Sequence, residues 1–517
     1  MKLKDLKNEL SNEKQITENG AVGYRTTGKN LLDLNFMASS LRKKSEDEIY
    51  DIFTKAFFED KLLAIKWLFF LRDCRGGLGE RRSFGVILQK LAIDYPELVK
   101  ELIDLVAEYG RYDDLFCLLD TDLKDFVVDY FKETISSDLK NVINKKPITL
   151  LAKWLPSVKS KNAEYAKIIR NGFGMSKKVY SYTLKYLRNY LDVVECKMSR
   201  NKWNEIEYSK VPSKANLLYG DAFMRHDTDR RNNYLSSLAE GKTKINSSVL
   251  FPHDIVHKYS SEGLWSTSVK KYNETLEQLW NHLPNYVQGD DSTICVVDGS
   301  GSMMTTIDNK SSVSALEVAN ALGIYFAQNL SGEYKDSFIT FSSRPQLVDM
   351  SLCNNLHEKL KLAYSHAECS NTNIEAVFDL ILNVAIKNNY SQDQLPKNIL
   401  ILSDMEFDRC VCDNNSLTYY CNFRSTLFDE IAVKYKKHGY TLPSLAFWNL
   451  CSRTGTIPVK ENEMGVKLVS GFSPTVVEMV LSNKTDPYET LLEKLNSERY
   501  DMVEQTFNEF TNKKGTQ

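Results

Sequence analysis

The sequence predicts a multidomain protein in which an all-helical array is followed by an α/β domain with a mostly parallel sheet. Three observations carry that expectation. At 517 residues the chain exceeds what one hydrophobic core supports and fits about two to four domains. From about residue 45 to 270, apolar residues recur at spacings of three and four, the period of amphipathic helices. Beyond about residue 290, short β-branched runs alternate with helical runs, the pattern of a sheet covered on both faces.

Taken in order, EIYDIFTKAF, KLLAIKWLFFLRD, RSFGVILQKLAID, PELVKELIDLVAEYG and DLKDFVVDYFKETI read as successive helices joined by short breaks. Pro96 suits a first helical turn and Gly110 a helix stop. No fixed-period repeat is visible, so a stacked array rests on helix pairing alone. After the polar segment from Pro284 to Asp291, the strand-like runs STICVVD, DSFITFS, NILILSD and SLAFWNL alternate with the helical runs SALEVANALGIYFAQNL, IEAVFDLILNVAIKN and STLFDEIAVKYKKHG. VKLVSGF and PTVVEMVL complete that domain, and Tyr488 to Gln517 reads as a terminal helix and tail. The expected blocks are 1–285 (helical repeats), 286–485 (α/β) and 486–517.

Composition excludes several classes. Apolar residues at 42%, with 11% aromatics, exclude global disorder, and a net charge of -2 confines any nucleic-acid surface to a local patch. MKLKDLKNELSNEKQ lacks an apolar core, and LLAIKWLFFL is short and carries Lys66, so neither directs secretion nor spans a bilayer. Ten scattered cysteines fit reduced thiols. The expected compartment is the cytoplasm.

TICVVDGSGSM, residues 293–303, raises the functional question: a dry strand is followed by Asp298, Ser300 and Ser302 on a glycine-spaced turn. Thr372 in SNTNIEAV, read as a helix start, and Asp404, closing NILILSD, supply further oxygens at strand ends, where open α/β sheets bind ligands. Two carboxylates with neutral hydroxyls make a plausible shell for a hard cation such as Mg²⁺, or Mn²⁺ or Ca²⁺. The alternative is an Asx or Ser turn with capping hydroxyls.

These residues resemble the metal-ion-dependent adhesion site of von Willebrand factor A domains, a Rossmann-like α/β fold. The resemblance implies that Ser300, Ser302 and Thr372 contact the metal directly or nearly so. It implies that Asp298 and Asp404 act directly or through water, and that one position stays open, usually for a partner's carboxylate. A helical array before such a domain also resembles TROVE/Ro-like proteins, whose HEAT-like helical repeats form a ring closed by the A domain. GYRTTGKNLLDLNFMASSLR, FLRDCRGGLGERRSF, LRNYLDVVECKMSRNKWNEIEYSKVPSKA, NTNIEAVFDLIL and LVSGFSP resemble a bacterial, phage and viral domain-of-unknown-function family numbered 2828, over most of residues 20 to 480.

Only the Ro resemblance brings in RNA, small or misfolded. From Lys140 to Arg188 the chain carries twelve Lys or Arg against one acid, Glu164, and interleaves Tyr165, Tyr180, Tyr182 and Tyr186, which suit base stacking. Lys159, Lys161, Lys167, Arg170, Lys177, Lys178, Lys185 and Arg188 are the expected RNA contacts; a solvated basic face is the alternative. In RDCRGGLGERR, Arg72, Arg75, Arg81 and Arg82 flank glycines as a candidate anion site, or else pair with Asp73, Glu80 or Asp113.

His253 and His257 share a helix face without a metalloprotease glutamate, and Cys410, Cys412 and Cys421, with His366 or Cys369, lack a usual zinc spacing. No Ser/His/acid order can be assigned from sequence without geometry. The expected function is a non-enzymatic, metal-dependent binding protein, an RNA-binding ribonucleoprotein component resembling Ro. The alternative is a protein-interaction scaffold whose metal site captures a partner's acidic side chain without RNA. Neither a membrane nor a small-molecule substrate is expected.

Overall fold

The computed structural model describes residues 14–260, 268–287, 292–408, 427–458, 466–481 and 486–515. They form two compact units that interleave along the chain. One comprises the described residues of Met1–Ser45, Ile52–Asp60 and Leu250–Leu495; the other comprises those of Glu46–Asp51, Lys61–Val249 and Asn496–Gln517. The expected consecutive blocks, divided after residues 285 and 485, therefore differ from the compact units. Among the described residues, no helix is long and apolar enough to cross a membrane, and all seven cysteines are free.

The first unit is built on strands β3 (Thr293–Asp298), β4 (Ser337–Phe341), β5 (Gln346–Asp349), β6 (Asn398–Ser403), β7 (Ser444–Asn449) and β8 (Val466–Ser470), in the order β5-β4-β3-β6-β7-β8. All neighbours run parallel except the edge pair β4 and β5. Every residue of β3 is buried, as a central strand of a sheet covered on both faces requires. The helix Ala315–Asn329 is buried from Ala315 through Ala327. Gly323 lets it approach β3 closely, since a Cβ there would stand 2.6 Å from Val297 Cγ2.

After β3 the chain proceeds to β4, and after β6 to β7, on opposite sides of the β3–β6 pair. Their carboxyl ends thus flank the switch point where such sheets open a crevice. A short hairpin not expected from sequence, β1 (Lys14–Ile16) with β2 (Val22–Tyr24), belongs to this unit and bridges to it at Gly20–Asp408 and Tyr24–Ile457. The N-terminal segment is drawn in by buried polar pairing: Asn449 Nδ2 donates to Phe36 O at 2.7 Å, and Ser39 Oγ donates to Asn449 O at 2.9 Å.

The second unit is all helical, including Lys61–Arg72, Arg82–Asp94, Pro96–Tyr109, Lys124–Ile143, Ala163–Gly172, Lys177–Tyr190, Ser213–His226 and Thr228–Ala239. Pro96 opens its helix and Gly110 closes it, as expected. The chain's last described helix, Asp501–Gly515, with the turn before it, packs here rather than on the sheet. Arg499 Nε donates to Asp73 Oδ2 at 2.7 Å, Tyr109 OH donates to Arg499 O at 2.7 Å, and buried Lys66 pairs with Glu504. A second cluster gathers Val194, Ile206, Tyr208, Val211 and Phe223; the buried Arg231 guanidinium lies 4.9 Å from the Tyr208 ring centroid.

Candidate metal centre

β3 ends on Asp298, which is fully buried. Its Oδ1 accepts from Ser300 N at 2.9 Å and its Oδ2 from Ser403 Oγ at 2.6 Å, so the carboxylate ties the turn after β3 to the end of β6. The Ser300 and Ser302 hydroxyl oxygens stand 3.0 Å apart. The glycines between them serve close approach rather than unusual backbone angles. A Cβ on Gly299 would lie 2.8 Å from Thr340 Oγ1, and one on Gly301 would lie 3.1 Å from Cys369 O. Through Cys369 N donating to Gly299 O and Gly301 N to Ser370 O, both at 3.0 Å, this turn is laced to the segment that carries Thr372.

Thr372 is buried but precedes the helix Glu375–Asn388 by a short loop instead of starting it. Asp404, one residue beyond β6, is 1% exposed, and its Oδ1 accepts from Glu406 N at 3.2 Å. Its Oδ2 is buried without any hydrogen-bond partner. Arg453 Nη2 stands 3.4 Å from it, an ion pair too long for a good hydrogen bond. Burial, then the neighbouring Asp298 charge, pushes the Asp404 carboxyl up to about 7, against Arg453 and the Ser302 hydroxyl, which lower it. Burial likewise raises Asp298, against hydrogen bonds from Ser403 and Ser300.

Asp298, Ser300, Ser302 and Asp404 are thus interconnected, and the segment carrying Thr372 is laced to their turn. Two buried carboxylates, both raised by burial and Asp404 raised further by the Asp298 charge, make a place where positive charge would lower the energy. The donor set of carboxylates and hydroxyls suits a hard ion. Among the described residues no cluster of three or more His, Cys, Asp or Glu offers an alternative metal site. Cys410, Cys412 and Cys421 lie outside the described residues.

Sequence reasoning missed the residues that cover this centre. Asn19, in the β1–β2 turn, donates through Nδ2 to Thr372 Oγ1 at 3.2 Å and to Glu406 O at 2.6 Å. Glu18 pairs with Arg453 Nε at 2.6 Å. Glu406 is fully buried; its carboxylate accepts from Glu18 N, Arg453 N and Thr454 N at 2.8 to 2.9 Å, pinning the hairpin turn to the loop after β7. The Asn19-Gly20 dipeptide, with φ 94° at Gly20, was the one local signal of a hairpin.

Residues 292–515 match a domain of unknown function, DUF7788. Residues 159–289 match another, DUF2828. The first match contains Asp298, Ser300, Ser302, Thr372 and Asp404 but not Asn19; the second contains most of the basic segment. The family numbered 2828 is therefore matched over 159–289, with a different family over the sheet, rather than over most of the chain. The chain is also similar to "Uncharacterized protein L728" of Acanthamoeba polyphaga mimivirus, 29% identical over 523 residues that cover 93% of this chain and 87% of that one.

Of the expected anion-binding arginines, Arg72 is buried, Arg75 and Arg81 are exposed but bonded to neighbouring oxygens, and Arg82 is exposed. Arg72 is buried with Nε 2.6 Å from Asp114 Oδ2, Arg81 bonds both Asp113 and Asp114, and Arg75 Nη1 donates to Glu108 O. Arg82 is exposed at the start of its helix. The amides of Gly77 and Gly79 donate to Asp73 O, and those of Leu78 and Glu80 to Phe70 O and Leu71 O, so the glycine turn wraps a helix end instead of cradling a phosphate. Of the basic segment, Lys159, Lys161, Lys167, Lys177, Lys178 and Lys185 are exposed. Arg188 instead donates to Ala152 O, Ser157 Oγ and Leu155 O, and Arg170 donates to Met175 O. Tyr180 and Tyr165 are tied to Pro156 O and Asp120, whereas Tyr182 (70% exposed) and Tyr186 (43%) lie open on the helix Lys177–Tyr190.

Proposed function

We propose that this protein is a metal-dependent binding protein. Its α/β unit resembles a von Willebrand A domain, and its helical unit binds RNA as in the TROVE/Ro-like architecture. The observation that carries the metal reading is the Asp404 carboxylate, buried beside a second buried carboxylate at the switch point of the sheet; its Oδ2 has no well-formed hydrogen bond, and the Ser302 hydroxyl and Arg453 leave it raised to about 7. Asp298, Ser300, Ser302, Thr372 and Asp404 would hold Mg²⁺, or Mn²⁺ or Ca²⁺. A bound divalent ion supplies positive charge that attracts one further anionic oxygen. The rest is done by the chain: Ser403 and the Ser300 amide orient Asp298, and the glycine-laced turn fixes the hydroxyls.

The RNA reading is supported by Lys178, Lys185, Tyr182, Tyr186 and Tyr190, exposed on the helix Lys177–Tyr190. Tyrosines at 182, 186 and 190 recur every four residues, about 6 Å along the axis, so they line one face on which successive bases of a single strand can stack. The second reading, capture of a partner protein's carboxylate without RNA, is favoured by Arg453, which already holds the Glu18 carboxylate beside Asp404. Purifying the protein from its host with Mg²⁺ and with chelator separates them. Co-purifying RNA that dissociates with salt supports the first; a protein released by chelator, with no RNA, supports the second and overturns the first.

A further inference from the structure

The loop that leads into the helix Ala315–Asn329 carries a second constellation. His257, on the helix Pro252–Tyr259, lies between two oxygen groups: its Nδ1 is 3.0 Å from Glu317 Oε1 and its Nε2 is 3.1 Å from Ser312 Oγ. Three side chains from separate segments thus meet in the order hydroxyl, imidazole, carboxylate.

The protonation pattern follows from the partners. The Glu317 carboxyl is 8% exposed. Burial would raise it, but hydrogen bonds from His257, Ser260 and the Ser314 amide hold it below the ordinary glutamate range. Next to an ionised Glu317 the imidazole carries its proton on Nδ1, which leaves Nε2 as a lone-pair acceptor for the Ser312 hydroxyl proton. That is the tautomer a general base needs. Glu317 is fixed independently, because its Oε2 accepts from Ser314 N at 2.7 Å in the capping box of its helix.

The serine is presented firmly. Its loop is closed by Ile307 N donating to Val313 O and Ala315 N donating to Thr305 O, both at 2.9 Å, and by the Thr306–Ser314 bridge. Ser312 is exposed and His257 half-buried, so a reagent reaches the hydroxyl without any opening of the fold.

We propose that Ser312 is an activated nucleophile, with His257 as its general base and Glu317 as the positioning residue, and that the site takes small, activated carboxylic esters. In the acyl-transfer step the Ser312 Oγ–carbon bond forms as the serine proton passes to His257 Nε2. The ester C–O bond then breaks and the leaving alkoxide takes that proton. Water reverses the sequence, releasing the carboxylic acid and restoring the serine. The exposed position of Ser312 sets the substrate class: a hydroxyl at the surface suits small acyl groups that need no enclosing pocket. This reaction is independent of the proposed cation and RNA binding.

The probe is an alkyl fluorophosphonate, which forms a Ser Oγ–phosphorus bond with loss of fluoride, read by intact mass and by mapping the modified peptide. The full-length chain is expected to gain one adduct, on Ser312, and none in Ser312→Ala, a surface substitution. His257→Ala is expected to slow labelling about 100-fold or more, with partial rescue by added imidazole. Glu317→Gln retains a capping-box side chain and is expected to keep the melting temperature while slowing labelling about tenfold; a purely structural Glu317 would move the two together. Absence of an adduct on Ser312, or equal rates in the native chain and His257→Ala, overturns the proposal.

Discussion

Asp404→Asn tests the candidate metal centre because the cation reading requires it to act with opposite signs in the metal-free and metal-loaded protein. Asp404 is 1% exposed and is raised from 3.8 to about 7, first by burial and then by Asp298. A carboxyl raised in the folded state contributes stability that is full below its unfolded value and is lost as pH rises through the folded one. At about 1.4 kcal/mol per pH unit, ionising Asp404 costs the metal-free fold up to ~4 kcal/mol by pH 8. Asparagine keeps an oxygen for Glu406 N and removes that cost. For a unit of about 300 residues, with ~2.1 cal/mol/K of unfolding entropy per residue, the ceiling on the gain is ~6 °C. Added Mg²⁺ at a hundredfold excess over Kd stabilises the native protein by ~2.7 kcal/mol, about 4 °C, and should do nothing for the variant. The assay is thermal unfolding at pH 5 and pH 8, with and without Mg²⁺. Without Mg²⁺ the native chain should lose more stability between pH 5 and pH 8 than the variant, and Mg²⁺ should reduce that loss in the native chain but not in the variant. A variant that is less stable at pH 8 without metal, or that keeps the Mg²⁺ shift, would refute the reasoning.

Three further outcomes follow from the same geometry. Arg453→Met removes a positive charge 3.4 Å from Asp404, so Mg²⁺ affinity by calorimetry should rise about tenfold while affinity for any anionic ligand of the site falls. Arg72→Met leaves the buried Asp114 carboxylate short of a partner and should cost about 3 kcal/mol in urea unfolding; unchanged stability would reopen the anion-binding assignment of that turn. Neutralising Lys178 and Lys185 to Gln should lower the slope of log affinity for single-stranded RNA against log salt by about 1 to 2, and Tyr182→Ala should cost about 1–3 kcal/mol at any salt, by fluorescence anisotropy.

What was legible in the sequence was what depends on neighbours in the chain. TICVVDGSGSM reads as strand and turn because β-branched residues and spaced glycines act locally, and β3 ends on Asp298 as that pattern demands. Pro96 and Gly110 marked helix ends for the same reason. Thr372 was found, but its element was not: the Asn373 side chain accepts from Ala376 N at 3.1 Å, so the helix begins after Thr372 rather than on it. RDCRGGLGERR was ambiguous because a glycine turn that wraps a helix end and one that binds phosphate share a composition. The direction of the amides separates them, and sequence does not carry it. Arg188 illustrates the same limit, since charge density cannot distinguish an exposed lysine from an arginine closing three oxygen acceptors.

The residues that cover the candidate centre were illegible because their partners lie hundreds of positions away: Asn19 reaches Thr372, and Glu18 reaches Arg453. That separation has a functional consequence. Glu406 receives hydrogen bonds from both the Glu18 amide and the Arg453 amide, so the hairpin turn and the loop after β7 are held by one buried carboxylate. An anion arriving beside Asp404 meets a guanidinium already paired with Glu18, which is half-exposed and released at little cost, because surface ion pairs contribute only about 0–1 kcal/mol. The exchange of one carboxylate for another oxyanion at Arg453 is therefore nearly balanced electrostatically. If the proposed cation is bound, discrimination would come from it, because its pull on the incoming oxygen has no counterpart in the Glu18 pair; ligand binding would then depend on Asp298 and Asp404 even for a ligand that touches neither.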